Sequence, residues 1–304
     1  MNTRSISTRT AYLLIAGAAC IWGTLGLFVR ALTEAGFTQT QLIAVRGVLS
    51  AIVMTVYLAL REPALLKVRV RDLWMFAGTG IVSFDLFTLC YFHAVGMIPL
   101  STAAILLYTA PIFVAVLSVL FFHERFTKRK LICLAMAFGG CVLVSGFSGS
   151  GGGSESGLGI VLGVLSGLFY GLYSIFGQAA LRRYHTLTII TYTFIVASIG
   201  IVPFAGLDRL GEVHWTAAVG CELVVFAVAT GAAAYLLYTL GMSRVRASNA
   251  AIAAILEPVV ATLLGAAVYG ETLGIVGITG VVLVVLAVLL LSAPQKNPAP
   301  KRVS

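Results

Sequence analysis

Apolar runs of about 20 residues recur from one end of the chain to the other, each long enough to cross a hydrocarbon core of roughly 30 Å as a helix. Ten can be read, at about 11–31, 39–60, 73–95, 100–121, 129–147, 157–179, 187–206, 216–240, 248–269 and 272–292. Only 10% of the residues are charged, against roughly a quarter in a soluble domain. Inside lipid every backbone N–H and C=O must be satisfied by the protein itself, so spans of this kind fold as helices. The expected class is an all-α integral membrane protein with ten transmembrane helices.

The formal charge of +9 would suggest nucleic acid if the basic residues formed one patch. They alternate with the spans instead. With an inside amino terminus, all but Arg30, Arg46 and Arg209 of the 20 Lys and Arg fall on the inner side. That bias predicts cytoplasmic termini and a plasma (inner) membrane location, and it excludes nucleic acid as the partner. The first run continues past Cys20 to Val29, which favours a retained first span over a cleaved or lipidated leader. The five cysteines have no zinc-type spacing and are read as small apolar fillers.

Two stretches repeat each other. Gly96-Met97 corresponds to Gly241-Met242, Pro111 to Pro258 and Glu124 to Glu271, with one two-residue insertion between glycine and proline. Trp22-Gly23 of the first span falls opposite Tyr170-Gly171 of the sixth. Two halves of five spans each follow, at 11–147 and 157–292, joined by a Gly/Ser linker at 148–156 and followed by a cytoplasmic tail at 293–304. Five is odd, so the second half enters the membrane from the opposite side. The charges agree: Glu124 precedes RFTKRK, whereas Glu271 precedes TLGIVG. Inverted halves are the arrangement that alternating access requires.

The TAP-x(12)-E stretch after GM-x(3)-STAA, and the LEP-x(12)-E stretch after GM-x(5)-SNAA, resemble the two EamA domains of the drug/metabolite transporter superfamily. The resemblance runs from about Ala11 to Leu291. It implies a ten-helix carrier of small metabolites in a bacterial-type inner membrane, often an exporter, driven by an ion gradient or by exchange.

Site candidates come from the cost of polarity in lipid, where a mid-span acid opposes insertion by roughly 2.5–3.5 kcal/mol. Glu257, directly before Pro258, and Asp85 are the two mid-span carboxyls. Apolar surroundings favour the neutral form of a carboxyl, so either could take up a proton and release it when a cavity opens. Glu257 has a structural alternative, a hydrogen bond to backbone groups freed by the proline. Arg46 could pair with Asp85, neutralise an anionic substrate or snorkel outward. Trp22, Tyr108, Tyr170, Tyr173, Tyr235 and Tyr238 are interior aromatics, a set able to hold an organic cation or amino acid by cation–π contact and hydrogen bonding. Trp22 and Tyr170 are singled out by the repeat. Glu222 and His93 lie closer to span ends and are weaker candidates. Four glycines of the sixth span, Gly159, Gly163, Gly167 and Gly171, form a stripe suited to close helix contact within a monomer or across a homodimer.

The expected function is secondary transport of a small metabolite, outward, with a coupling proton or ion, no metal and no cofactor. The competing classes are an intramembrane enzyme, for which no nucleophile–base or metal motif is present, and a membrane scaffold.

Overall fold

The computed structural model describes residues 6–145, 156–270 and 274–293. The Gly/Ser linker up to residue 155, Glu271 and the tail beyond 293 lie outside the described residues. Nine helices among the described residues are long and apolar enough to cross a membrane: α1 (Thr8–Glu34), α2 (Gln39–Arg61), α3 (Val70–Val95), α4 (Leu100–Phe122), α6 (Gly157–Ala180), α7 (Thr186–Phe204), α8 (Ala217–Met242), α9 (Ala247–Tyr269) and α10 (Ile275–Ser292). Between α4 and α6 lies α5 (Lys128–Val144), whose 17 residues span about 25 Å at 1.5 Å per residue. This helix is shorter than the span read from sequence, and it packs along α10.

Helix neighbours obey a two-fold exchange of the halves. α1 packs on α8 and α9, as α6 packs on α3 and α4; α3 packs on α7, as α8 packs on α2; α2–α7, α5–α10 and α4–α9 pair with their own equivalents. Alternation of the ends is also visible. The loop after α4 meets the start of α9, where Lys130 bonds Ser248 at 2.6 Å. The end of α9, at Tyr269, is a 23-residue helix away, about 34 Å, at the opposite end, where Arg30 of α1 lies over the Tyr269 ring at 4.2 Å. There the α1–α2 turn touches the α7–α8 connection, through Gln41 to the Gly206 carbonyl and the His214 N–H to the Ala35 carbonyl. The C-terminal ends of α4 and α9 therefore lie at opposite ends of the molecule.

The duplicated prolines do not kink continuous helices. The chain breaks before each, at Tyr108–Thr109 in α4 and at Ile255 in α9, so that Pro111 and Pro258 sit in the first turn of a fresh helical segment. Proline is tolerated there because its position needs no intrahelical N–H donor. A second twinned feature has no counterpart in the sequence pattern: α3 and α8 each pass through a π-helical stretch, at Gly78–Leu86 and Ala227–Ala233.

Close approach is set by glycine. A Cβ at Gly23 would lie 3.0 Å from the Glu257 carbonyl, and one at Gly171 would lie 3.0 Å from the Ala110 carbonyl. Each glycine thus faces the carbonyl immediately before the other helix's proline, which reproduces the repeat in three dimensions. The stripe on α6 is occupied by α4 and the turn preceding it, with Gly159 against Met97 and Ile98 and Gly163 against Leu106. At Gly167 an added Cβ would lie 2.6 Å from the Leu106 carbonyl and 3.0 Å from that of Leu107, whereas at Gly139 it would meet nothing within 4 Å. Gly167→Ala is expected to destabilise the purified protein by about 1–3 kcal/mol through overpacking. Gly139→Ala should leave it unchanged or slightly more stable, read as apparent melting temperature.

Candidate functional site

The broken helices α4 and α9 and their glycine partners α1 and α6 meet α8 around a small cavity. It is lined by Trp22, Tyr170, Tyr173, Ser174, Tyr235 and Tyr238, with Pro111 and Ala254 at the helix breaks. Trp22 is the hub: its ring centroid lies 5.1 Å from Tyr235, 5.4 Å from Tyr238 and 6.5 Å from Tyr170. Its indole N–H donates to the Thr230 carbonyl, 3.1 Å away in the π-helical stretch of α8. Tyr173 and Tyr235 stack edge to face at 4.9 Å. Edge-to-face pairs of this kind hold rings rigidly, because the positive rim of one meets the negative face of the next.

Two tyrosines are fixed by hydroxyl partners, Tyr238 with Ser174 at 2.7 Å and Tyr173 with Thr239 at 2.8 Å. Tyr170 differs, since its hydroxyl donates to Glu257 Oε2 at 2.9 Å. The Glu257 carboxylate is therefore joined to a cavity-lining ring of α6, and not to the backbone at the proline break. The centre of the cavity holds about 30 Å³ of free space, the size of one water. That free space is less than a metabolite occupies.

Arg46 and Asp85 flank this cluster without lining the cavity. Arg46 is 6% exposed, so it does not snorkel. Its guanidinium lies over the Phe84 ring at 4.6 Å, and it is within electrostatic reach of Glu257 and Tyr235. An Arg46–Asp85 pair, one of the arrangements open to Arg46 from sequence, does not form: the ion pairs among the described residues do not include it, and Arg46 Nε and both Asp85 carboxyl oxygens are buried without hydrogen-bond partners. Asp85 lies in the π-helical stretch of α3, and a side chain at Gly200 of α7 would collide with its carboxylate. A buried carboxyl with no partner costs free energy that packing does not return. Tyr108 sits at the α4 break, outside the cavity lining but within electrostatic reach of Glu257.

Sequence reasoning did not single out Ser174, nor a polar cluster at the basic end of the molecule. There Lys130 Nζ lies 2.9 Å from Glu124 Oε2 and 2.6 Å from Ser248 Oγ, and Ser248 also bonds Glu124. All three residues are at most 8% exposed. Within RFTKRK, Lys130 looks like one more solvated loop cation. The repeat held the only clue, since Glu124 and Ser248 both belong to its motifs.

With this geometry in hand, comparison with known proteins is informative. The model of the EamA-like transporter family matches residues 9–146 and again 157–293. An uncharacterized transporter of Archaeoglobus fulgidus is 31% identical over 196 residues, which is 64% of this chain and 68% of that protein. The pseudopaline exporter CntI of Pseudomonas aeruginosa is 30% identical over 156 residues, 51% of this chain and only 53% of the exporter. A solved crystal structure at 18% identity superposes with a TM-score of 0.77 over 93% of this chain and 96% of the other, a likeness of fold. Two family matches covering both halves, on a multi-pass helical fold with twinned helix breaks, assign the chain to the EamA-like transporter family.

Proposed function

We propose that this chain is a secondary transporter that exports a small cationic or zwitterionic metabolite, such as an amino acid or organic cation, across the inner membrane by alternating access. The observation that carries the reading is the Tyr170–Glu257 pair inside the aromatic cluster, at the point where α9 is interrupted. Discontinuous helices at the interface of inverted repeats supply substrate groups near mid-depth in carriers of this general design. Glu257 would attract a positive group, the rings of Trp22, Tyr170 and Tyr235 would accept it by cation–π contact, and Arg46 would complement a carboxylate on the same substrate. A water-sized cavity means that the halves must part to admit a metabolite. The Glu124–Lys130–Ser248 clasp, which ties the α4–α5 hairpin to the start of α9, is the gate on the basic face. That face is cytoplasmic on the positive-inside rule, with both termini on it. Export is favoured because one relative is named an exporter.

Asp85, which meets no partner, is assigned the coupling proton. In proteoliposomes with a metabolite found by thermal stabilisation, Asp85→Asn is expected to abolish the pH dependence of flux while substrate still stabilises the protein. An unchanged pH response removes Asp85 from coupling. Product formation without vectorial movement would instead favour an intramembrane enzyme, and partner capture without flux a scaffold.

A further inference from the structure

At the basic end, apart from the aromatic cavity, the α6–α7 turn and the α8–α9 turn enclose a second pocket of about 240 Å³. Gln178, Arg182, Tyr184, His185, Thr186 and Arg244 line it, and no carboxylate does. Helix α7 begins here, and an α-helix start presents N–H groups and the positive end of its dipole. The repeat-equivalent start of α2 is satisfied by its own side chains, a capping box in which Thr38 accepts from the Gln41 N–H at 3.2 Å and Gln41 accepts from the Thr38 N–H at 2.9 Å. α7 has only His185, whose Nδ1 accepts from the Leu187 N–H at 3.3 Å. Because Nδ1 is an acceptor, the imidazole proton is on Nε2, which makes the ring a donor on its other side.

An independent sign of a ligand is Thr186. It is 1% exposed, lines the pocket, and its hydroxyl has no partner. The Gln178 side-chain oxygen is also buried without a partner. The nearby acid, Asp72, is taken by Arg183 and by Tyr184 at 2.6 Å. Arg182 and Arg244 form no ion pair among the described residues, and Arg182 is steadied over the Phe122 ring at 4.9 Å.

We infer that this pocket binds a phosphate-type oxyanion, held by Arg182, Arg244, the Thr186 hydroxyl and the start of α7, and that the bound anion ties the α6–α7 turn to the α8–α9 turn. The chemistry fits the phosphate of an anionic lipid headgroup at the membrane surface and equally a soluble phosphate. The test titrates full-length protein in neutral detergent with inorganic phosphate against chloride at matched ionic strength, and with phosphatidylglycerol micelles against phosphatidylcholine, reading apparent melting temperature.

Stabilisation by phosphatidylglycerol alone assigns a lipid headgroup, by inorganic phosphate alone a soluble anion, and by both the shared group. The effective probe should bind about tenfold or more weakly to the R182Q/R244Q double variant and about threefold more weakly to T186V, in line with loss of charged and neutral hydrogen bonds respectively. Should the double variant not fold, T186V decides. The inference is overturned if neither probe stabilises beyond its control, or if the stabilisation is undiminished in the variants that fold.

Discussion

Glu257→Gln should cut flux by about 30-fold or more while leaving the melting temperature near that of the unaltered protein. The glutamine side-chain oxygen can still accept from Tyr170, so the packing of α6 on α9 survives. What is lost is the charge that pairs with a cationic substrate, and truncating one side of a buried charge pair costs about 2–5 kcal/mol, where each 1.4 kcal/mol is tenfold. Tyr170→Phe should fall between, because it frees the carboxylate without neutralising it. Initial rates in proteoliposomes, set beside thermal unfolding of the same preparations, separate the two roles open to Glu257. Full flux in the glutamine variant would confine it to the fold.

A comparably large effect, this time on stability, is expected at the basic end of the molecule. Lys130→Met leaves Glu124 buried beside Ser248 with no cation, and breaking a buried pair in this way costs about 3–5 kcal/mol. The double variant E124Q/K130M should recover much of the loss, since both charges are then gone and Ser248 keeps a neutral partner. If the clasp is also the gate, a cysteine introduced by Ala247→Cys, at a position that is 0% exposed, should be modified faster in K130M than in a background with the clasp intact. A double variant as unstable as the single one would show that the triad is not an isolated pair. Unchanged modification would leave the clasp a purely structural tie.

The contrast between these two sites shows where reading the chain alone stops. Glu257 stood out because a carboxylate inside an apolar run is costly wherever the run lies, and the cost can be read from neighbours in sequence. Lys130 did not, because a lysine in a basic loop is ordinarily solvated, and only the arrival of α9 puts it 2.6 Å from Ser248. Asp85 is legible as a costly mid-span acid, but its lack of a hydrogen-bond partner among the described residues is not. Arg46 lies over the Phe84 ring instead of pairing with Asp85, where α2 packs closely on α8 at Gly231. The π-helical stretches of α3 and α8 left no trace in hydropathy, since a single-residue shift in hydrogen bonding alters neither composition nor span length.

By itself, the sequence determined the solvent, the helical class, the number of halves and their opposed orientation. Those follow from apolar run length, charge placement and a duplicated motif, all of which are local or additive along the chain. Tertiary structure alone decided where α4 and α9 break, which rings close around Trp22, which acid has a hydroxyl partner and which has none, and which loop cation is buried. Each of these depends on how closely two distant helices approach, a distance that at Gly23 and Gly171 is set by a glycine facing a carbonyl across the interface and not by anything adjacent in sequence.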